Sequence, residues 1–403
     1  MFIFPDLCSA PVPEGGIVKV QRYGRLGGVL LAGSLVLAAC GSDNNTKDDV
    51  AQPAATPAPT PAPTTATIAT AAASAAAIAC GSGSLNGEGS TAQGNAVAEW
   101  ISKYQGKCSG TTINYNGTGS GAGIKQFSAG QVDWAGSDSA LKPEEVQPAK
   151  DRCKGNDAWN LPMAVGPIAV AYNLPGVSGI ALDGTTIAKI FSGKITKWDD
   201  QAIKDLNGGV TLPSTDIKVF FRSDESGTTE NFEKYMAAAG SGNYTATPSK
   251  KFSGGVGEGQ AKSQGVGQAV KATEGGVTYV EYSVAKDNSL GVAKVKTGSD
   301  PVELTAENAG TALAAATATG SGNDLALKLD YTTSAAGAYP IVLVTYEIVC
   351  SKGLDAAKTD LLRGFLNYAG SADGQAAIAG IGYGTLPTDL QTKVMAAVAA
   401  VSS

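Results

Sequence analysis

From Cys80 to its C-terminus the chain alternates between strand-like and helix-like stretches, and this alternation constrains the fold more than any other feature. The strand-like stretches are short and apolar, and each is followed by a turn and by apolar residues at helical spacing. In one example, the apolar stretch 217–221 is followed by Phe232, and Tyr235 and Met236 lie three and four residues after Phe232. Such alternation predicts an α/β fold.

Composition limits the possible functions. The chain has 403 residues, of which 43% are hydrophobic and 16% charged, which fits a soluble globular protein of two or three domains. Its net charge of −6 and its lack of any Lys/Arg block argue against nucleic acid as a partner. The absence of histidine excludes a Ser-His-Asp triad, a histidine zinc site and an imidazole base. We therefore expect no metal and no cofactor.

The N-terminal stretch 1–39 is predicted to be a signal peptide of the lipoprotein type. Three basic residues precede an apolar stretch, 30–39, that is too short to span a bilayer. This stretch ends in Leu-Ala-Ala-Cys40-Gly, which resembles the lipobox of bacterial lipoproteins, where the cysteine carries the lipid. We expect Cys40 to anchor the protein to the outer face of the cell membrane. The sequence leaves open whether translation starts at Met1 or at Val18.

The stretch 40–79 is predicted to be a tether between the lipid and the folded part. It is rich in Ala, Pro and Thr and contains Pro-Ala-Pro-Thr twice in succession. Such a composition cannot bury a core and tends to be extended.

The exported part contains four further cysteines, Cys80, Cys108, Cys153 and Cys350. An even number of cysteines outside the cytoplasm predicts two disulfides, and their spacing leaves three pairings open. Among these we favour Cys108 with Cys153, because each follows a predicted helix that returns from the same edge of the sheet.

Three successive predicted strands end in turns that carry hydroxyl groups. These turns contain Ser90 and Thr91, then Ser120 within a glycine-rich stretch, then Asp138 between two serines. Ligands of open α/β sheets bind outside the carboxyl ends of the strands, so we expect the turns to converge on one cleft. The glycine-rich turn lacks the spacing of a dinucleotide fingerprint, and it fits either a small-anion nest or a turn that merely requires glycine.

A fourth turn, 222–228, reads Arg-Ser-Asp-Glu-Ser-Gly-Thr and joins a predicted strand to a predicted helix. A helix start offers unpaired backbone N–H groups and a positive dipole end, and the Arg222 guanidinium can grip two oxygens. The combination suits a tetrahedral oxyanion. For this segment alone, ordinary capping with a surface ion pair between Arg222 and Asp224 remains the alternative.

In their order along the chain, the four motifs resemble the PstS-type phosphate-binding lipoproteins of ABC phosphate importers. The resemblance runs from about residue 82 to the C-terminus and includes 194–200, 276–282 and 339–341. It implies a two-lobed Venus-flytrap fold with two hinge crossings, and a non-enzymatic protein that binds inorganic phosphate and delivers it to an ABC permease. The implied phosphate contacts are Ser90, Thr91, Ala92, Ser120, Asp138, Arg222, Ser226, Gly227 and Thr228.

The resemblance also suggests where the lobes divide. Lobe I is predicted to comprise 80–167 and 343–403, and lobe II to comprise 168–342. The apolar stretch 160–172 would be the first crossing and 341–349 the return. Members of the family usually have an aromatic residue where this chain has Ala92, but that position contributes a backbone N–H.

Asp138 carries a prediction about selectivity. An ionised carboxylate can only accept a hydrogen bond, so it faces a bound anion favourably only if that anion carries a proton. Phosphate carries one and sulfate does not, so we expect Asp138 to discriminate against sulfate, with Asp224 holding the Arg222 guanidinium in place. Two alternatives stay open: a site for another tetrahedral oxyanion, and a lipid-anchored serine enzyme in which Ser139 and Lys142 form an S-x-x-K motif.

Overall fold

The structure, a computed structural model, describes residues 78–403. The predicted signal peptide, Cys40 and nearly all of the predicted tether lie outside these residues. The strands are β1 (Gly83–Gly89), β2 (Thr111–Gly117), β3 (Trp134–Ser137), β4 (Ala158–Tyr172), β5 (Ala181–Asp183), β6 (Lys218–Arg222), β7 (Glu258–Gln260), β8 (Gly276–Glu281), β9 (Gly291–Val292), β10 (Lys294–Lys296), β11 (Pro301–Val302), β12 (Thr317–Ala318), β13 (Leu327–Lys328) and β14 (Val342–Cys350).

Helices alternate with these strands, as the sequence predicted. They are α1 (Gly94–Lys107), α2 (Ser120–Ser128), α3 (Pro143–Arg152), α4 (Gly184–Phe191), α5 (Gln201–Leu206), α6 (Gly227–Ala239), α7 (Lys262–Ala272), α8 (Tyr282–Asp287), α9 (Ala306–Leu313), α10 (Ala356–Gly370), α11 (Ala372–Gly380) and α12 (Thr388–Ala400). Within residues 78–403, no helix combines the length and the apolar character that crossing a membrane requires.

The main sheet has the strand order β2-β1-β3-β14-β4-β8-β6-β7, with β9 beside β4. Strands β2 and β3 are both parallel to β1, and β7 and β8 are both parallel to β6. The turns that follow β1, β2 and β3 therefore lie at one edge of the first half of the sheet, and the turn that follows β6 lies at the carboxyl edge of the second half.

Strand β4 belongs to both halves of the sheet. Up to Pro167, which lies opposite Val342, its residues pair with β14. From Ile168, which lies opposite Glu281, they pair with β8. The fold is the two-lobed α/β fold that the sequence predicted, and the division of the chain at 167/168 and 342/343 stays a prediction.

Each half of the sheet has its own aromatic core. In the first half, Trp100 and Trp134 are fully buried. In the second half, Trp198 and Tyr279 are fully buried, and the Tyr279 ring stacks on Phe232 with ring centroids 4.6 Å apart. Trp198 and Tyr279 thus belong to the core of the second half, as expected from the sequence.

The disulfides join Cys80 to Cys108 and Cys153 to Cys350, so the predicted pairing of Cys108 with Cys153 is wrong. Cys108 ends α1, which packs against α10 and α11, whereas Cys153 ends α3, which packs against α2. The two helices thus have different neighbours. The spacing of apolar residues along a helix does not reveal which neighbours it will have, so the sequence could not reveal this separation.

Removing the Cys153–Cys350 disulfide with C153S/C350S should lower the free energy of unfolding by about 2–5 kcal/mol. The effect should be larger than that of C80S/C108S, because the two bonded pairs are 197 and 28 residues apart and a longer closed loop restricts the unfolded chain more. Urea unfolding of both variants without reductant measures the two losses. A larger loss in C80S/C108S would contradict this ranking.

Candidate functional site

Three strand-end turns meet at the Asp138 carboxyl group, which follows β3 and is 3% exposed. The Ser90 hydroxyl donates to Asp138 Oδ1 over 2.6 Å, and the Ser120 hydroxyl donates to Oδ2 over 3.2 Å. The hydroxyl of Thr345, on β14, also donates to Oδ1, over 3.2 Å. Ser90 and Ser120 were predicted from their turns. Thr345 was not, because it lies in the middle of an apolar strand.

The surroundings of Asp138 make its charge costly. Burial raises the pKa of Asp138 to about 7, and the nearby Glu281 contributes in the same direction. The hydroxyls of Ser90 and Ser120 and the charge of Arg222 partly oppose that rise. Asp138 therefore changes protonation state near neutral pH in this conformation, and it is ionised above that range.

The start of α6 lies directly against these turns. The backbone N–H of Gly227 donates to Ser120 Oγ over 3.2 Å, while Asn231 Nδ2 donates to the carbonyl oxygens of Asp138 and Gly227 over 2.7 and 2.8 Å. Ser226 caps the helix, with its hydroxyl accepting from the N–H of Thr229. Since Gly227 and Asp138 belong to different halves of the sheet, the conformation is closed. The sequence alone had left this open.

Arg222 lies at the end of β6 and is 2% exposed, so the alternative of a surface ion pair with Asp224 is wrong. Its Nε donates to Asp224 Oδ1 over 2.7 Å, its Nη2 also contacts that carboxylate, and its Nη1 donates to Ser263 Oγ over 3.1 Å. Burial opposes the charge on Arg222, but the hydrogen bond and charge of Asp224 outweigh it and raise the Arg222 pKa. The same contact lowers the Asp224 pKa despite burial.

Ser263 joins the two sides of the site and was missed from the sequence. Its hydroxyl lies 2.8 Å from Thr91 Oγ1, and its backbone N–H donates to the same atom over 3.3 Å. It also accepts the hydrogen bond from Arg222, so one hydroxyl contacts a predicted ligand residue from each side. The one sequence signal for Ser263 as a site residue is its position at the start of α7, directly after β7.

Glu281, the last residue of β8, is the second residue that was missed. It is 1% exposed, and its Oε1 accepts a 2.6 Å hydrogen bond from the Thr228 hydroxyl. Its Oε2 is buried and has no hydrogen-bond partner within residues 78–403. A carboxylate at the carboxyl end of a strand fits the rule that predicted the other turns, but Glu281 ends a strand whose other residues indicate only a buried core strand.

Ala92 contributes main-chain atoms only. Its N–H donates to Ser90 Oγ over 3.0 Å, and its carbonyl oxygen accepts a 2.6 Å hydrogen bond from the Tyr383 hydroxyl. The small side chain is buried.

Ser139 and Lys142 both contact Glu230. The Ser139 hydroxyl donates to Glu230 Oε2 over 3.2 Å, and Lys142 Nζ lies 3.4 Å from the same oxygen. A carboxylate thus lies within reach of both members of the S-x-x-K motif. In the part of the chain that the structure describes, no group of Cys, Asp and Glu residues could hold a metal ion.

Ion pairs cross between the two halves beside the buried groups. Lys250, which is 7% exposed, donates to Glu145 Oε1 over 2.8 Å, and the Lys250 carbonyl accepts from the N–H of Ser226. Lys125 pairs with Glu225 at 2.6 Å on the surface. Because the Lys250 ammonium group is buried, we expect the Lys250–Glu145 pair to affect the stability of the closed conformation more than the exposed Lys125–Glu225 pair does.

A family model described as a PBP superfamily domain matches residues 74–373. Phosphate-binding protein PstS 3 of Mycobacterium tuberculosis is 43% identical over 389 residues, which is 96% of this chain and 100% of that protein. Phosphate-binding protein PstS 2 of the same organism is 41% identical over 391 residues, again 96% of this chain and 100% of that protein.

A similar fold is found in the solved structure of PfluDING, a high-affinity periplasmic phosphate-binding protein bound with phosphate. The two chains are 26% identical, with a TM-score of 0.64, over 78% of this chain and 93% of that one.

Replacing Gly227 with alanine should prevent full closure. A Cβ at Gly227 would lie 2.6 Å from Ser120 Oγ and 2.7 Å from Asp138 Cβ, both across the cleft. Overpacking of this kind costs about 1–3 kcal/mol, so the ratio of closed to open molecules should fall by a factor of about 5 to 150. Small-angle scattering should show a larger radius of gyration. Gly94→Ala is the matched control, since a Cβ there meets nothing within 4 Å; equal compactness of the two variants would contradict the prediction.

Proposed function

Because the chain belongs to the PstS-type phosphate-binding proteins of the PBP superfamily, we propose that it binds inorganic phosphate outside the cytoplasm and delivers it to the permease of an ABC importer. The named relatives and the phosphate-bound PfluDING structure support this proposal. We also propose that a lipid on Cys40 anchors the protein to the outer face of the cell membrane. The lipobox-like sequence supports the anchor.

The observation that carries the proposal is the meeting of two helix starts at one buried carboxyl group. Ser120 begins α2 and Gly227 begins α6, and the Ser120 hydroxyl contacts both the Gly227 N–H and Asp138. Helix starts direct N–H donors and a positive dipole end toward an anion. A phosphate bound between them would replace the contacts that these groups make with one another.

The other proposed ligands complete the set of donors. The Ser226 hydroxyl lies at the start of α6, and the hydroxyls of Ser90 and Thr91 and the N–H of Ala92 lie in the turn that leads from β1 into α1. Of the five N–H donors of a guanidinium, Asp224 uses two on Arg222 and Ser263 uses one, which leaves two for a phosphate oxygen. We propose that Asp224 orients Arg222, and that phosphate binding needs this fixed orientation.

Asp138 is proposed to select for a protonated anion. When ionised it can accept a hydrogen bond from a phosphate hydroxyl, whereas sulfate would place two acceptors against each other in a closed cleft. Sites that require a hydrogen bond reject ligands that lack it by about 10⁴–10⁵-fold. If the natural ligand is a tetrahedral oxyanion other than phosphate, it must therefore carry a proton. Arsenate meets this condition.

Calorimetric titration of ligand-stripped protein with phosphate, arsenate and sulfate tests the function. At pH 8 we expect tight binding of phosphate and arsenate and no measurable binding of sulfate. Because the Asp138 pKa is raised to about 7, the neutral, hydrogen-donating form of Asp138 becomes available as the pH falls. Sulfate affinity should then rise by up to about tenfold per pH unit as the pH falls from 8 toward 7, and it should level off below that pH. Sulfate binding at pH 8 as tight as that of phosphate would contradict the assigned role.

The Asp138→Asn substitution removes the negative charge of the side chain and keeps its size and shape. The amide can donate a hydrogen bond to sulfate, so the variant should lose most of the discrimination and its sulfate affinity should no longer depend on pH. Asp133→Asn is the matched control: Asp133 precedes β3, is 4% exposed, and accepts hydrogen bonds from Asn86 and Lys358 at the far end of the strand. Retained selectivity in Asp138→Asn would overturn the role of Asp138.

We further propose that the protein is not an enzyme. Ser139 and Lys142 are both bound to Glu230, which occupies the hydroxyl and the ammonium group that a serine mechanism would have to join. Saturable phosphate binding without turnover is the expected behaviour. Covalent labelling of Ser139 by a β-lactam probe would support the serine-enzyme alternative instead.

A further inference from the structure

The side-chain amide of Asn231, on α6, connects the two halves of the sheet. Asn231 is 4% exposed, and its Nδ2 donates to the carbonyl oxygens of Asp138 over 2.7 Å and of Gly227 over 2.8 Å. Gly227 begins the helix that contains Asn231, whereas Asp138 follows β3 in the first half of the sheet. The hydrogen bond to Asp138 therefore exists only when the cleft is closed.

The partners of Asn231 determine the direction in which its amide points. Backbone carbonyl oxygens can only accept, so the amide nitrogen faces Asp138 and Gly227 and uses both of its N–H groups there. The amide oxygen faces Tyr331, whose hydroxyl donates to Asn231 Oδ1. Burial raises the pKa of Tyr331, so the hydroxyl keeps its proton and remains a donor.

Tyr331 follows a segment that is bonded to the first half of the sheet. Asp324 Oδ1 accepts hydrogen bonds from the backbone N–H and from Nδ2 of Asn160, on β4, both over 2.8 Å. The N–H of Leu327 donates to the hydroxyl of Tyr346, on β14, over 3.0 Å. Tyr331, which is 9% exposed, comes four residues after Leu327 and contacts the second half. The segment 324–331 thus passes from one half to the other.

We propose that Tyr331 is a positioning residue that slows phosphate release, because it holds the Asn231 amide in the direction that binds the Asp138 carbonyl group. This inference rests on the proposed phosphate-binding function. In the closed cleft, Asn231 Oδ1 is buried and the Tyr331 hydroxyl satisfies it. In an open cleft, water can bond to the amide instead. The Tyr331 hydroxyl therefore stabilises the closed conformation relative to the open one.

The proposal separates the two rate constants of phosphate binding. Phosphate enters an open cleft, in which Asn231 and Asp138 lie apart, so the association rate constant should not depend on Tyr331. Dissociation requires the closed cleft to open, and the hydrogen bond between Asn231 and Asp138 must then break. Loss of the Tyr331 hydroxyl should therefore increase the dissociation rate constant alone.

The experiment measures phosphate release from the full-length protein and from Tyr331→Phe. Protein loaded with radiolabelled phosphate is mixed with excess unlabelled phosphate, and the label that stays bound over time gives the dissociation rate constant. Calorimetry gives the dissociation constant. In Tyr331→Phe the ring remains but the buried Asn231 Oδ1 loses its donor, so both constants should rise by about 5–150-fold. The association rate constant should stay within about twofold of wild type. An unchanged dissociation rate constant would overturn the proposal.

Tyr104→Phe is the matched control. Tyr104, on α1, is fully buried, and its hydroxyl donates to the carbonyl oxygen of Ala79 over 3.1 Å. This hydrogen bond does not cross the cleft, so its loss should lower the stability toward urea and leave phosphate release unchanged. If both Tyr→Phe variants accelerate release equally, a general loss of stability explains the result and the proposal is overturned.

A second variant, Asn231→Ala, tests whether Tyr331 acts through Asn231. Asn231→Ala should accelerate release, and adding Tyr331→Phe to it should accelerate release no further. Effects that multiply in the double variant would overturn the proposal. If Tyr331→Phe does not fold, Asn231→Ala decides the question, because a wild-type dissociation rate constant in that variant would overturn the proposal. Absence of phosphate binding by the wild-type protein would refute the proposed function, and this inference with it.

Discussion

The structure depends on strand β4, which runs from the first half of the sheet into the second. Strand β4 pairs with β14 up to Pro167 and with β8 from Ile168, so a single change of partner places the carboxyl ends of both half-sheets against each other. Ser90, Ser120, Asp138, Arg222 and Gly227 extend from one of those ends or begin the helix that follows it, whereas Thr345 lies within β14. The strand order therefore places Asp138 and Gly227 on facing edges of the two halves, and the closed conformation brings them together.

The electrostatics of the site follow from this closeness. One guanidinium and two helix starts face three carboxyl groups, of which Asp138 and Glu281 are buried and Asp224 is partly exposed. Asp224 is matched by Arg222, as the lowered pKa of Asp224 and the raised pKa of Arg222 show. The other two carboxyl groups have hydroxyl partners. Because the positive and negative groups of the cleft nearly balance, we propose that its selectivity among anions depends on the direction of individual hydrogen bonds.

The sequence predicted much of the fold and part of the site. The features that it predicted have local signals in the sequence, and the features that it missed depend on contacts between distant parts of the chain or lie in strands of apolar sequence. The turn from β6 into α6 was recognisable because all its signals are local: an apolar strand, an Arg, a Ser cap and a helical pattern. Ser263 was missed because it contacts Thr91, which lies 172 residues earlier in the chain. Glu281 was missed because it ends β8, a strand whose apolar sequence indicated only a buried core strand.

The disulfide pairing failed for a related reason. The helices that end at Cys108 and Cys153 each follow a strand-end turn, and only their packing partners show that their neighbours differ. Local patterns thus predict elements and the turns that follow them, whereas contacts between distant elements need the assembled sheet. Thr345, which contacts Asp138 from the middle of an apolar strand, is the clearest case of a contact without any local signal.

The Cys153–Cys350 disulfide lies at the base of the segment that leaves the first half of the sheet and returns to it. Cys153 precedes β4 and Cys350 ends β14, and their Cα atoms are 5.3 Å apart. The whole excursion between them is therefore a covalently closed ring. A protease that cuts this ring once leaves the two fragments joined by the disulfide. If the second half of the sheet unfolds locally, the disulfide keeps the two ends of that segment together, at the point from which the segment must fold again.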